Sequence, residues 1–179
     1  MTSQSSSNWQ RKLLLTGAPA ALIAAVSSPF AYNMLERWEG NILYVYKDII
    51  GVPTYCAGQT ANAPPVGAKL TSDFCKEINK TILMEYSYAI LQCTKWDQLT
   101  PARIVALTLF AVNVGKAGAC GSQAVLHINI GQVAKGCALI ANTPSGAPNW
   151  STAGGKFVQG LYNRRQSEAK LCLQDSLPI

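Results

Sequence analysis

The chain has 179 residues, 49% of them hydrophobic and 13% charged, with a formal net charge of +6 and one histidine. That composition excludes a disordered chain and allows one domain with a substantial core plus an appendage. The positive balance implies an anionic partner. The basic residues are dispersed, however, with no aromatic-basic repeat or groove helix, so no nucleic acid is expected.

Residues 1–10 are polar and Ser-rich, and Arg11-Lys12 form a positive flank. From Leu13 to Leu35 there are 23 residues without a charge, enough to span a bilayer. Ala, Gly, Ser, Thr and two prolines dilute its Leu, Ile and Val, so insertion is only marginally favourable. The stretch reads as a cleaved signal peptide cut near Ala31, as an ordinary anchor, or as a segment that enters the bilayer and later leaves it. Each reading puts the remainder outside the cytoplasm, with Arg11 and Lys12 inside.

Ala31 to Trp38 predicts a short helix ending at Gly40. Ile42–Tyr46 is rich in β-branched and aromatic residues, Asp48 and Gly51 punctuate a turn, and Thr54–Ala57 leads back, which predicts a hairpin. Residues 61–69 form a loop. Thr71 or Ser72 then caps a helix whose apolar residues recur from Phe74 to Cys93. Thr100, Pro101 and Gly115 bound a helix that is apolar almost all round, expected to be the buried centre of a second lobe. Asn113 is a polar exception near its end. Helices are also expected over Ser122–Ile130, Gln132–Asn142 and Leu161–Leu173, separated by loops. Arg164-Arg165 reads first as a solvated face, with Glu168 as a candidate partner one turn on.

The six cysteines (56, 75, 93, 120, 137, 172) include no C-x-x-C pair. His127 has no metal-like neighbours, so no metal and no cofactor are expected. An even number of cysteines in an exported chain reads as three disulfides. A Cys75–Cys93 bridge is excluded if both lie on one helix, because 18 residues span about 27 Å, beyond the roughly 7 Å that a disulfide tolerates. The expected pairing is Cys56–Cys75, Cys93–Cys172 and Cys120–Cys137.

The chemistry concentrates in Glu39–Thr60. Two acids and a Thr within sixteen residues are by themselves common in surface hairpins. The full pattern, E-G-x(7)-D-x(2)-G-x(2)-T-x-C-x-G-x-T, resembles the catalytic segment of the phage-type lysozymes, glycoside hydrolase family 24. Phe110-Ala-Val-Asn-Val-Gly115, Gly154-Gly155 and Gly160-Leu-Tyr-Asn-Arg-Arg165, with Glu168 and Leu171-Cys172, are further family-like landmarks. The resemblance covers roughly residues 36–174. It departs at Gln59, where many members carry His on the substrate-side wall.

The resemblance implies an α+β, mainly helical fold: a small β-hairpin lobe, a long connecting helix and a helical lobe, with a cleft between the lobes. It implies a muramidase that hydrolyses the β-1,4 bond between N-acetylmuramic acid and N-acetylglucosamine in bacterial peptidoglycan, an anionic partner that suits the charge. Glu39 would be the general acid, protonated in a partly apolar site for which Trp38, Tyr44 and Tyr46 are available. Asp48 would stay ionised as base or cation stabiliser, and Thr54 would hold a water. Glu36 is the alternative acid. The resemblance favours inversion, which needs carboxyls about 6.5–9.5 Å apart.

The chain also resembles a subgroup of phage endolysins with a signal-anchor-release segment, which favours the third reading of Leu13–Leu35. Residues 1–35 would then be the anchor and residues 36–179 the catalytic domain. The expected protein is a monomer, tethered to the inner membrane and inactive there, then periplasmic and active after release. The resemblance leaves two rivals. A lytic transglycosylase would need one acid and no water, which leaves Asp48 and Thr54 without a task. An exported glycan-binding or structural protein would leave the hairpin pattern to chance.

Overall fold

The computed structural model describes residues 2–48 and 50–178. The architecture is mainly helical with two short antiparallel sheets. The uncharged N-terminal stretch is not one rod. It continues helix α1 (Thr2–Leu15), then forms α2 (Ala20–Val26) and most of α3 (Pro29–Glu39). The first break follows Thr16, whose hydroxyl donates to the Leu13 carbonyl at 2.6 Å and accepts from the Ala18 amide. Gly17 then takes φ +76°, a left-handed turn that a side chain disfavours, and Pro19 ends the linker. The second break is an N-cap. Ser28 accepts from the Ala31 amide, and Pro29 occupies the first helical position. Among the described residues no helix is long and apolar enough to cross a membrane.

These three helices are part of the core. Leu13, Leu22, Ala25, Val26, Ala31 and Leu35 are buried with the apolar faces of α4 (Ser72–Cys93) and α5 (Pro101–Val114). Helix α1 packs on α4, and α2 packs on α5. Helix α4 begins at the Thr71 cap, whose hydroxyl accepts from the Phe74 amide, and runs 22 residues. Helix α5 begins at the Thr100 cap with Pro101 next, ends at Gly115, and is buried on every side from Ala102 to Ala111. Arg103 on that helix donates to the carbonyls of Cys172 and Gln98, fixing α5 against the C-terminal end of the chain.

The rest of the helical part is α6 (Lys116–Cys120), α7 (Gln123–Asn129), α8 (Val133–Ala141) and α9 (Gln159–Cys172). Strands β1 (Ile42–Lys47) and β2 (Pro53–Cys56) pair antiparallel, with Tyr46 opposite Thr54. The 61–69 loop adds to the free edge of β1 through bonds from Val45 to Ala68 and from Gly67 to Val45. Strands β3 (Thr152–Ala153) and β4 (Lys156–Phe157) make a tight hairpin around Gly154-Gly155, where only a loop was expected. The first sheet has its own small core of Val45, Tyr55, Cys56 and Cys75, separate from the main one.

Three disulfides join Cys56 to Cys75, Cys93 to Cys120 and Cys137 to Cys172, with Cα separations of 5.2, 5.7 and 5.5 Å. The first is the expected pair, and Cys75 and Cys93 lie at opposite ends of α4. The expected Cys93–Cys172 and Cys120–Cys137 bridges are not formed. Helix α6 turns back after Gly115 and packs Cys120 against the end of α4, while α8 packs along α9 and carries Cys137 to Cys172. Helix α6 was not among the elements expected from the sequence.

Candidate functional site

Glu39 is the last residue of α3, and Gly40 at φ +76° turns the chain directly into β1. Its carboxylate is about one-fifth exposed and accepts a charge-assisted bond from Arg164 Nη1 at 2.5 Å. Arg164 is itself buried. Its Nε donates to Glu168 at 2.9 Å and its Nη2 to the Leu109 carbonyl at 3.1 Å. The guanidinium therefore bridges α9, α5 and α3, spending donors on each. The partner of Glu39 is this arginine. Of the aromatics suggested by the sequence, Tyr44 and Tyr46 pack edge to face with each other, and the Arg37 guanidinium sits over the Trp38 ring.

Arg165 completes the cluster. Its Nη2 donates to Glu168 at 3.0 Å, and its Nε lies 3.0 Å from the other carboxylate oxygen, out of line for a hydrogen bond. Its guanidinium sits 5.2 Å from the Phe110 ring centroid. Burial pushes the Arg165 pKa down to about 10, opposed by the charge of Glu168. Burial likewise pushes Glu168 up, opposed by Arg165 and then Arg164. Two carboxylates and two guanidiniums cancel in charge, which is how this much charge is accommodated in the interior. The pair expected as a solvated face is thus the anchor of the site. Glu168, four residues beyond Arg164 on one helix, was the available signal.

Asp48 stands in the β1–β2 turn. One carboxylate oxygen, Oδ1, accepts the amides of Ile50 and Val52, both at 2.9 Å, while Gly51 at φ +84° closes the turn onto the Asp48 carbonyl. Thr54 is buried on β2, and its hydroxyl donates to the Val52 carbonyl at 3.0 Å. Val52 therefore ties Asp48 and Thr54 into one rigid unit, through its amide on one side and its carbonyl on the other. Glu39 belongs to a different unit, held by Arg164. Glu36, the alternative acid, is engaged locally. It accepts from the Tyr32 hydroxyl at 2.5 Å and from Asn41, stitching the α3–β1 joint. Gln59 pairs its backbone with Tyr55 at the end of β2, and Asn113 is exposed at the end of α5.

A long helix beneath a small hairpin lobe, joined to a helical lobe that returns a buried arginine to the hairpin's entry, defines a lysozyme-like architecture. The phage lysozyme family model matches residues 36–168. The chain belongs to that family. Its relatives include the SAR-endolysin of Pseudomonas phage phiKMV, 34% identical over 88% of this chain and 91% of that protein. The SAR-endolysin of Bacteriophage PS119 is 32% identical over 88% and 87%. Among solved structures, a point mutant of P22 lysozyme superposes with a TM-score of 0.71 at 26% identity, covering 82% of this chain and 97% of that one.

Proposed function

We propose that the protein is a phage endolysin, a muramidase that hydrolyses the β-1,4 bond between N-acetylmuramic acid and N-acetylglucosamine in host peptidoglycan and so lyses the cell. The observation that carries this reading is the Arg164-held Glu39 at the entry to a hairpin in which Val52 locks Asp48 to Thr54. Glu39 is ion-paired with Arg164 as it stands; its partial exposure lets it take up a proton from solvent, which it then delivers to the leaving glycosidic oxygen. Arg164, anchored at Glu168 and Leu109, keeps that carboxyl in one orientation. Asp48 uses Oδ1 for the turn, and the described residues make no bond to Oδ2, which is free to act on water or on the developing oxocarbenium ion. The Thr54 hydroxyl proton is committed to Val52, so its oxygen is available to accept from the attacking water.

Digestion of purified peptidoglycan tests this. Expected products are muropeptides ending in reducing N-acetylmuramic acid, with the anomer inverted at first release. Anhydro-muramic ends would assign a transglycosylase, and failure to clear walls would leave a glycan-binding protein.

The same reading makes residues 1–35 a signal-anchor-release segment and residues 36–179 the catalytic part. Export tethers the chain at the inner membrane with Glu39 four residues from the bilayer-spanning stretch, where it is inactive; release gives the periplasmic enzyme. An ionophore should trigger lysis with the full-length chain in the soluble periplasmic fraction. Ala20→Leu with Ser27→Leu should prevent release. Both positions are exposed in the folded form and tolerate the change there, whereas Gly17 at φ +76° does not. Recovery of only a shortened chain starting near Tyr32 would show cleavage instead.

A further inference from the structure

Two concavities, of about 420 and 440 Å³, adjoin each other on the side of the molecule formed by the end of α1 and the end of α4, and neither includes a residue of the Glu39–Arg164 site. Lys12, Leu15, Thr16, Tyr88, Leu91 and Trp96 line the larger, and Trp96 also borders the smaller, beside Lys95 and Asp97. Apolar side chains here are open to solvent: at the rim Leu15 is 75% exposed and Trp96 36%, and Leu14, the neighbour of Leu15 on α1, is 63% exposed. Leu13, just before them, is fully buried, so α1 presents two adjacent leucines outward while docking with the third. Trp96 is held in place by its indole N–H, which donates to the Leu91 carbonyl. Lys12 is parked over the Trp9 ring, 4.1 Å from its centroid.

The charge around this apolar rim is mainly positive. Arg11, Lys12 and Lys95 are exposed and residues 1–35 contain no acid at all, against the single exposed carboxylate of Asp97, which takes a bond from Gln98. Leucines and an amphipathic indole inside a cationic ring match the boundary between lipid headgroups and acyl chains. A polyanion would use the cations but leave the leucines unexplained. We propose that this face of the folded protein docks peripherally on an anionic phospholipid bilayer, with Leu14, Leu15 and Trp96 entering the interface and Arg11, Lys12 and Lys95 meeting lipid phosphates. The docking is distinct from a membrane-spanning state, because Leu13, Leu22 and Val26 stay in the protein core throughout.

The test is sedimentation of the full, disulfide-intact chain with vesicles of phosphatidylglycerol in phosphatidylcholine, against pure phosphatidylcholine, with clearing of isolated walls measured in parallel. The expected result is binding to the anionic vesicles only, reversed by salt. Lys12→Glu with Lys95→Glu should weaken it by at least about tenfold. Leu14→Ser with Leu15→Ser should weaken it comparably, and both variants should keep parental wall clearing, which also certifies their fold. If the leucine pair fails to fold, Leu15→Gln alone replaces it. Equal binding to both vesicle types, binding unaffected by these variants, or equal affinity for dextran sulfate would overturn the proposal. So would salt-resistant binding with loss of wall clearing, which means re-insertion. Concentration-dependent dimerisation lost in the leucine variant, without vesicle binding, would assign the face to a second copy and overturn it too.

Discussion

The N-terminal helices are a structural debt that the rest of the chain cannot cover, and removing them measures it. A chain starting at Tyr32, as signal cleavage after Ala31 would leave, lacks Leu13, Leu22 and Val26, which are 0%, 3% and 1% exposed in the main core, together with Ala18, Ala25 and Ala31. Burial of each large side chain is worth about 1.5–3 kcal/mol, so the three together contribute about 5–9 kcal/mol before the alanines are counted. A domain's whole stability is about 5–15 kcal/mol, and the exposed faces of α4 and α5 would add an aggregation liability. The shortened chain is therefore expected to lack a cooperative unfolding transition. Leu22→Ala in the full chain, a milder version, should cost about 2–5 kcal/mol through lost contact and residual cavity. Circular dichroism under heat and urea reads both. A shortened chain that melts within a few degrees of the parent and clears walls would show that these helices are ornaments on an independent core, and the reasoning would be wrong.

Glu39→Gln keeps the shape and the Arg164 contact but has no proton to give, so wall clearing should fall by about 10²–10⁴-fold with an unchanged melt; Asp48→Asn and Thr54→Ala should also be strongly impaired. Arg164→Ala leaves Glu168 buried with one guanidinium fewer, and should cost about 3–5 kcal/mol in stability as well as activity, measured by melting and clearing together. Cys56→Ser with Cys75→Ser should remove about 3 kcal/mol, felt mostly in the small core, so amide exchange should accelerate at Val45 and Tyr55 before it does in α5. Tyr32 is pushed up to about 12 by burial first and by its bond to Glu36 second. A phenol whose folded pKa is raised contributes stability that is complete below its unfolded value near 10 and lost as pH rises toward 12. The melting temperature of the parent relative to Tyr32→Phe should decline over that window, and a flat difference would refute the assignment.

What was legible in the sequence was what local chemistry dictates. Thr71, Thr100 and Ser122 each accept the amide three residues on, as their position before an apolar period required. The β1–β2 hairpin followed from the β-branched and aromatic run at Ile42–Tyr46 and the turn residues Asp48 and Gly51. What was not legible depends on distant partners. Arg164-Arg165 has the composition of a wet helix face, and only the fold brings Leu109, Phe110 and Glu39 over it. The disulfide pairing of the helical part turns on α6, five residues long and too short to carry a period. The β3–β4 hairpin has two residues per strand and no alternation to read.

The uncharged stretch shows why composition alone could not say where it belongs. Its prolines, glycine and serines make it a weak bilayer span, and the same residues supply the breaks that fold it onto α4 and α5. Gly17 and Pro19 end α1, and Ser28-Pro29 starts α3. A stretch of unbroken leucine would gain in the bilayer and lose the turns that let it enter the core. Its alanines allow close approach between helices, and Leu13, Leu22, Val26 and Leu35 are buried, whereas Leu14 and Leu15 at the end of α1 face outward. Apolarity sufficient for a membrane and interruption sufficient for a packed domain are opposed demands, and on the proposed signal-anchor-release reading this segment would meet both only by meeting each weakly. The balance can be shifted from one side at a time. Leucine at exposed Ala20 or Ser27 strengthens the bilayer state and leaves the core contacts alone, whereas Leu22→Ala weakens the core far more than it changes insertion.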